Sequence, residues 1–159
     1  MTFSTLGLAE TLLQSLETLG YKTPTPIQEQ AIPAILEGRD VMAAAQTGTG
    51  KTAGFALPIL HSLATDGVKV GSNSVRALAL VLVPTRELAE QVHASFRQYG
   101  EHSGVSTYAT YGGVSINPQM MRLRRGVDIL VATPGRLLDL FRQNAIKFKQ
   151  VETLILDEA

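Results

Sequence analysis

The 159-residue chain has no cysteine, which excludes disulfides and thiolate metal sites. It has no net charge either, because 14 basic residues balance 14 acidic ones. No global positive field therefore draws it toward nucleic acid, and any such contact must be local. No apolar stretch approaches the roughly 20 residues that a membrane helix needs. The opening Met1-Thr2-Phe3-Ser4 lacks the basic start and apolar run of a signal peptide, so a cytoplasmic protein with no membrane association is expected. Internal repeats and low-complexity tracts are missing as well. What is present is 45% hydrophobic content, enough for a buried core in a chain of one-domain length. Charge is mildly uneven, with seven Arg or Lys in residues 122–149 against Asp128 and Asp139, and five acids in residues 1–40 against Lys22 and Arg39. A solvated face accounts for such runs as well as a binding face does.

Leu8, Leu12, Leu13, Leu16 and Leu19 recur at helical spacing, and Gly20 follows where a helix would end. A second helix is expected from Thr25 as cap and Pro26 at the first helical position, continuing to Leu36 before Gly38 and bent by Pro33. Short apolar runs at Val41–Ala45, Ala77–Val83, Val127–Ala132 and Leu154–Leu156 then alternate with helical periods at 51–63, 85–99 and 134–143. That alternation predicts a parallel, doubly wound sheet. Val105–Tyr111 reads as a further strand ending at Gly112-Gly113, Asn117-Pro118 as a cap opening a short helix, and residues 64–75 as a surface loop.

Ala45-Gln46-Thr47-Gly48-Thr49-Gly50-Lys51-Thr52 lies between an apolar run and a helical period, the setting of a phosphate-binding loop. Glycines at 48 and 50 let backbone N–H groups turn toward a polyphosphate, and the following helix adds the positive end of its dipole. Lys51 would reach the β and γ phosphates, and the Thr52 hydroxyl would meet Mg2+. The general G-x-x-x-x-G-K-[ST] pattern is broken only at its first position, where Ala45 stands. Such a loop serves kinases, GTPases and motors alike, so it does not name a function.

Upstream, Phe3 and the run Gly20-Tyr21-Lys22-Thr23-Pro24-Thr25-Pro26-Ile27-Gln28 resemble the Q motif of DEAD-box RNA helicases. A flat ring can cover an adenine face, and a side-chain amide can donate and accept on its Hoogsteen edge. The resemblance implies that Tyr21 covers the ring and Gln28 reads it, with Phe3 as the upstream aromatic. The plainer reading makes Tyr21 a capping aromatic and Gln28 a helix-surface amide. Downstream, Pro84-Thr85-Arg86-Glu87-Leu88-Ala89-Glu90-Gln91 is similar to motif Ia of that family, Gly112-Gly113 to its GG element and Thr133-Pro134-Gly135-Arg136 to its motif Ib. Thr85 and Thr133 are candidate N-caps, so their hydroxyls and nearby N–H groups can hold backbone phosphates, with Arg86 and Arg136 adding charge. Either arginine could instead hold the fold together. Leu154-Ile155-Leu156-Asp157-Glu158-Ala159 resembles the Walker B strand, which implies that Asp157 holds Mg2+ through water and that Glu158 acts on the attacking water.

The resemblance spans Phe3 to Ala159, and Gly112 to Met121 looks most like the bacterial RhlE-type helicases. It implies an α/β, RecA-like P-loop NTPase with a parallel sheet and helices on both faces, residues 1–38 forming a Q-motif helical region and 39–159 an ATP-binding domain. The chain reads as truncated after the Walker B strand, and a second RecA-like domain is expected in the full-length protein. The implied function is RNA-dependent ATP hydrolysis with ATP and Mg2+ as cofactors and RNA, gripped by its backbone, as partner. The alternatives are a non-catalytic nucleotide- or RNA-binding module and another P-loop motor. His61, His93 and His102 lack metal-ligand spacing, Met120-Met121 reads as gap-filling core, and Arg122, Arg124 and Arg125 read equally as RNA contacts or a solvated helix end.

Overall fold

A computed structural model describes residues 1–46, 48–65 and 77–158. The chain divides into two compact units, Met1–Val68 with Ser95–Val105, and Lys69–Ala94 with Ser106–Ala159.

The first unit is helical. After a 3-10 turn at Phe3–Leu6 come α1 (Glu10–Thr18), α2 (Pro26–Leu36) and α3 (Lys51–Thr65). The leucine stripe of α1 is buried at Leu12 and Leu16, and it joins Ile32, Leu57, Leu60 and Phe96 in the core. Helix α1 ends as its sequence predicts, with Gly20 at φ +80° just beyond the last turn. Its start is tied down by His61, whose Nδ1 accepts a 3.0 Å hydrogen bond from the Ala9 amide, so this histidine has a packing role. Helix α2 begins at Pro26 behind Thr25 as N-cap and runs through Pro33.

The second unit carries a four-stranded sheet in the order β2-β3-β1-β4. The strands are β1 (Ala77–Leu82), β2 (Thr107–Thr110), β3 (Val127–Ala132) and β4 (Thr153–Leu156), and every pairing is parallel. Val81 stands opposite Val131 on one side and Ile155 on the other. The continuous apolar runs of β1 and β3 are the mark of strands covered on both faces, and β3 is buried throughout. Parallel strands need long crossovers, here supplied by α4 (Arg86–Tyr99), α5 (Asn117–Leu123) and α6 (Pro134–Arg142). Leu80 and Leu130 share a core with Leu123, Leu137, Leu140 and Ile146. The β2–β3 register is also locked by a polar clasp: Asp128 Oδ2 accepts from the Ser106 amide at 2.8 Å, and Ser106 Oγ accepts from the Asp128 amide at 3.0 Å.

Three expectations need correction. Residues 41–46 form no strand, and Val41 and Met42 are exposed. A strand exists only with a ladder partner for its N–H and C=O groups, and among the described residues this segment has none. The short helix takes Ile116, not Asn117, as its cap. The methionine pair is split, for Met120 packs against the sheet core while Met121 is exposed, as neighbours about 100° apart on a helix must be. The expected loop at 64–75 lies outside the described residues, apart from its first two positions, which belong to α3.

Candidate functional site

In the helical unit Gln28 ties the cap of α2 to the glycine-rich loop. It is the third residue of α2 and is buried, so it is no helix-surface amide. Its Oε1 accepts a 2.9 Å bond from the Thr25 amide, closing one half of a capping box. Its Nε2 donates at 3.0 Å to the carbonyl of Gly50 in the glycine-rich loop. That carbonyl also accepts from the Gly54 amide at 3.2 Å as α3 begins. One amide thus joins the start of α2 to the start of α3. Gly50 sits at φ +81°, and a Cβ there would lie 2.2 Å from Gln28 Nε2, so glycine is required for both conformation and close approach. Gly48 is left-handed too. Thr49 Oγ1 donates to the Gln46 carbonyl at 2.7 Å, while Lys51 and Thr52 occupy the first turn of α3. Ala45 and Gln46 precede the turn in irregular backbone, and Thr47 lies outside the described residues.

The two aromatics are placed differently. Phe3 is buried in the 3-10 turn, whereas Tyr21 is half exposed. The Tyr21 ring packs on Tyr99 at 6.2 Å between centroids. Burial, followed by the neighbouring Tyr21 phenol, pushes the Tyr99 phenol well above the ordinary tyrosine range.

In the sheet unit, the remaining residues follow the C-terminal ends of strands, where open parallel sheets bind ligands. Pro84-Thr85-Arg86 comes after β1, Gly112-Gly113 after β2, Thr133-Pro134-Gly135-Arg136 after β3, and Asp157-Glu158 after β4. Thr85 caps α4 as expected, its Oγ1 accepting from the Leu88 amide at 3.2 Å. Thr133 has the extended cap conformation but makes no side-chain cap bond. The Arg86 guanidinium lies 5.0 Å above the Tyr111 ring, a cation–π contact, and the Tyr111 phenol donates to the Glu90 carboxylate. Arg136 reaches back to the same turn: Nη1 donates to Gln119 Oε1 at 2.9 Å and Nη2 to the Val114 carbonyl at 2.8 Å. Asp157 is buried at the tip of β4, its amide bonded to the Leu82 carbonyl at 3.0 Å, and Glu158 is exposed with φ +55°.

An ordered set of strand-end turns, each carrying its own threonine, arginine, glycine pair or acid pair, is specific as a set even where each turn alone is ordinary. The DEAD/DEAH box helicase profile matches residues 25–159. The chain belongs to that family. It is 47% identical over its whole length to the DEAD-box ATP-dependent RNA helicase CshA of Streptococcus pneumoniae. It is 43% identical over its whole length to the ATP-dependent RNA helicase CshA of Limosilactobacillus reuteri. Against the Bacillus cereus CshA the identity is 44% over 99% of the chain. The chain spans only 29–31% of the length of these relatives.

Within this DEAD/DEAH box chain, sequence reasoning passed over Gln119 and Tyr99. Gln119 is buried, and its Nε2 donates to the Tyr111 carbonyl at 3.1 Å. Its signal in the sequence was slight: one polar residue on the inward face of a short helix, three positions before Arg122. Arg122 is itself fixed, stacking 5.4 Å over Tyr108 and donating to the Gly126 carbonyl at 3.1 Å. Arg124 and Arg125 are exposed. Among the described residues no cluster of His, Cys, Asp and Glu could hold a metal by itself, and no helix is long and apolar enough to cross a membrane.

Proposed function

We propose that the chain is an N-terminal, RecA-like part of an ATP-dependent RNA helicase acting in the cytosol. Residues 1–38 form its Q-motif helical region and residues 39–159 the part that binds ATP and the backbone of single-stranded RNA. A second RecA-like domain would complete the catalytic machinery. The observation that carries this reading is the Gln28 amide, which is bonded at once to the cap of α2 and to the Gly50 carbonyl of the phosphate loop. A carbonyl oxygen has two lone pairs and an amide nitrogen two hydrogens, so each end of Gln28 keeps one bonding capacity for the N6 and N7 edge of adenine. Tyr21, half exposed, and Phe3 complete the adenine side. Backbone amides of Ala45–Gly50 cradle the phosphates, and Lys51 neutralises their charge.

The donors also suit Mg2+, which prefers hard oxygen ligands and takes few from protein when phosphates supply the rest. Thr52 and Asp157 are each candidate ligands by the family resemblance, Asp157 through water, and when bound the ion would supply charge neutralisation on the phosphates. Glu158 orients the attacking water and accepts its proton. RNA is held without regard to sequence at the turns that carry Pro84, Thr85 and Arg86, Gly112-Gly113, and Thr133, Pro134, Gly135 and Arg136, where phosphate contacts fix register but read no base. The RhlE-like stretch at 112–121 is a finer kinship, which sequence flanking the chain would test.

In the complete protein, Glu158→Gln should bind ATP and RNA normally yet lose turnover, because the amide keeps the shape and loses the base. RNA-stimulated ATPase activity at the wild-type rate in that variant would overturn the assignment.

A further inference from the structure

The turn at Gly112-Gly113 is held from three helices. Gln119 of α5 donates to the Tyr111 carbonyl before the turn, and Arg136 of α6 donates to the Val114 carbonyl after it. The two side chains are bonded to each other at 2.9 Å, so they form one clamp across the base of the turn. Arg86 of α4 stacks on Tyr111, and its Nη1 lies 3.9 Å from where a Gly113 Cβ would stand. Gly113 has φ +80°, so the loop depends on external contacts and a glycine for its shape. Both terminal nitrogens of Arg136 are engaged by neutral acceptors of this unit. A planar fork that bridges two fixed acceptors is a geometric device, and a lysine cannot replace it.

We infer that Gln119 and Arg136 are positioning residues that shape the Gly112-Gly113 turn for the RNA backbone, and that Arg136 acts on RNA through this turn rather than by meeting a phosphate. The inference rests on the RNA-binding reading above and narrows the part of Arg136 within it. Gln119 is neutral and 5% exposed, so its contribution to RNA affinity runs through the residues it holds.

The test is binding of a fluorescein-labelled single-stranded oligouridine to the complete protein, followed by anisotropy over a range of KCl. Gln119→Ala, Arg136→Ala and Arg136→Lys should each weaken binding by about 10-fold, which is the scale of coupling inside one hydrogen-bonded network. Gln119→Ala combined with Arg136→Ala should be no worse than either alone. The slope of log affinity against log salt should stay at the wild-type value in all of them, because no phosphate contact is lost. ADP affinity measured without RNA should also be unchanged, which separates the clamp from general damage to the fold. If Gln119→Ala fails to fold, the half-exposed Arg136→Lys carries the test. Wild-type affinity in Arg136→Lys, or a slope that falls by about one in Arg136→Ala, would overturn the inference and leave the RNA-binding reading standing. Absence of salt-dependent RNA binding by the wild-type protein would overturn both.

Discussion

Replacing Gly50 by alanine should destabilise the helical unit far more than a solvent-accessible loop substitution ordinarily does, and by an amount that depends on residue 28. Gly50 has φ +81°, and its added Cβ would sit 2.2 Å from Gln28 Nε2, 3.1 Å from Gln28 Cδ and 3.3 Å from Thr25 Oγ1. Holding alanine in the left-handed region costs about 1–2 kcal/mol. The clash can be relieved only by swinging the Gln28 amide away, which surrenders its bonds to Thr25 and Gly50 at roughly 0.5–1.5 kcal/mol each. The sum is roughly 2–5 kcal/mol, a large part of the 5–15 kcal/mol typical of a whole domain. Gln28→Ala alone should cost less, about 1–2 kcal/mol, because the Gly50 carbonyl keeps its bond from Gly54 while the capping box is lost. With Gln28 already truncated, Gly50→Ala has no amide to displace and should cost only its backbone strain. Urea unfolding of the four proteins in the cycle, followed by circular dichroism, reads the difference directly. Equal cost of Gly50→Ala in both backgrounds would refute the coupling, since independent sites add to within about 0.5 kcal/mol.

Other outcomes follow from the same contacts. Gln28→Ala should narrow the preference for ATP over GTP, because guanine presents O6 where Gln28 meets an amino group; equal turnover of the two nucleotides by the wild-type protein at matched Mg2+ would contradict this. Lys51→Ala should lose nucleotide affinity as well as turnover, measured by titration with a fluorescent ADP. The raised Tyr99 phenol carries a pH signature, because its proton is held more tightly in the folded than in the unfolded chain. Stability is therefore fully present below the ordinary tyrosine value of 10.0 and is lost as pH rises above it. Tyr99→Phe should flatten that alkaline loss, so parallel melting curves for variant and wild type between about pH 9 and 11 would count against the burial argument.

Local signals carried much of this architecture. A stop residue placed the end of α1, and cap and stop residues placed both ends of α2, because Gly20, Thr25, Pro26 and Gly38 act through their own backbone geometry and need no distant partner. The buried parallel strands β1 and β3 were legible for the complementary reason that burial on both faces leaves a continuous apolar run. The site was legible as motifs but not as contacts. Sequence pairs Gln28 with a ligand edge, whereas its two bonds run to protein backbone 3 and 22 residues away. Gln119 carried no motif signal that reading along the chain would isolate, since its role depends on two carbonyls and a guanidinium brought together by folding. Arg122 was left open between RNA contact and solvated face, and the structure gives it a tyrosine ring and a carbonyl instead.

The failure at residues 41–45 has a different origin, and β4 shows why. Both segments have strand composition, but a strand is a property of a pair, because its N–H and C=O groups must be met by a neighbour's. Strand β4 has that neighbour in β1, with Leu154 opposite Leu80 and Leu156 opposite Leu82. Its other edge has no ladder among the described residues, and Leu154 and Leu156 are 56% and 58% exposed. Val41, at 42%, and Met42, fully exposed, carry apolar side chains in the same condition without even one ladder. Full burial of such a side chain is worth about 1.5–3 kcal/mol; scaled by their exposures, these four leave undone roughly 4–8 kcal/mol, near the lower end of the margin of a small domain. The same residues that look like interior strands by composition are therefore the ones whose structure depends most on what lies beside them. Local pattern can state that dependence but cannot resolve it.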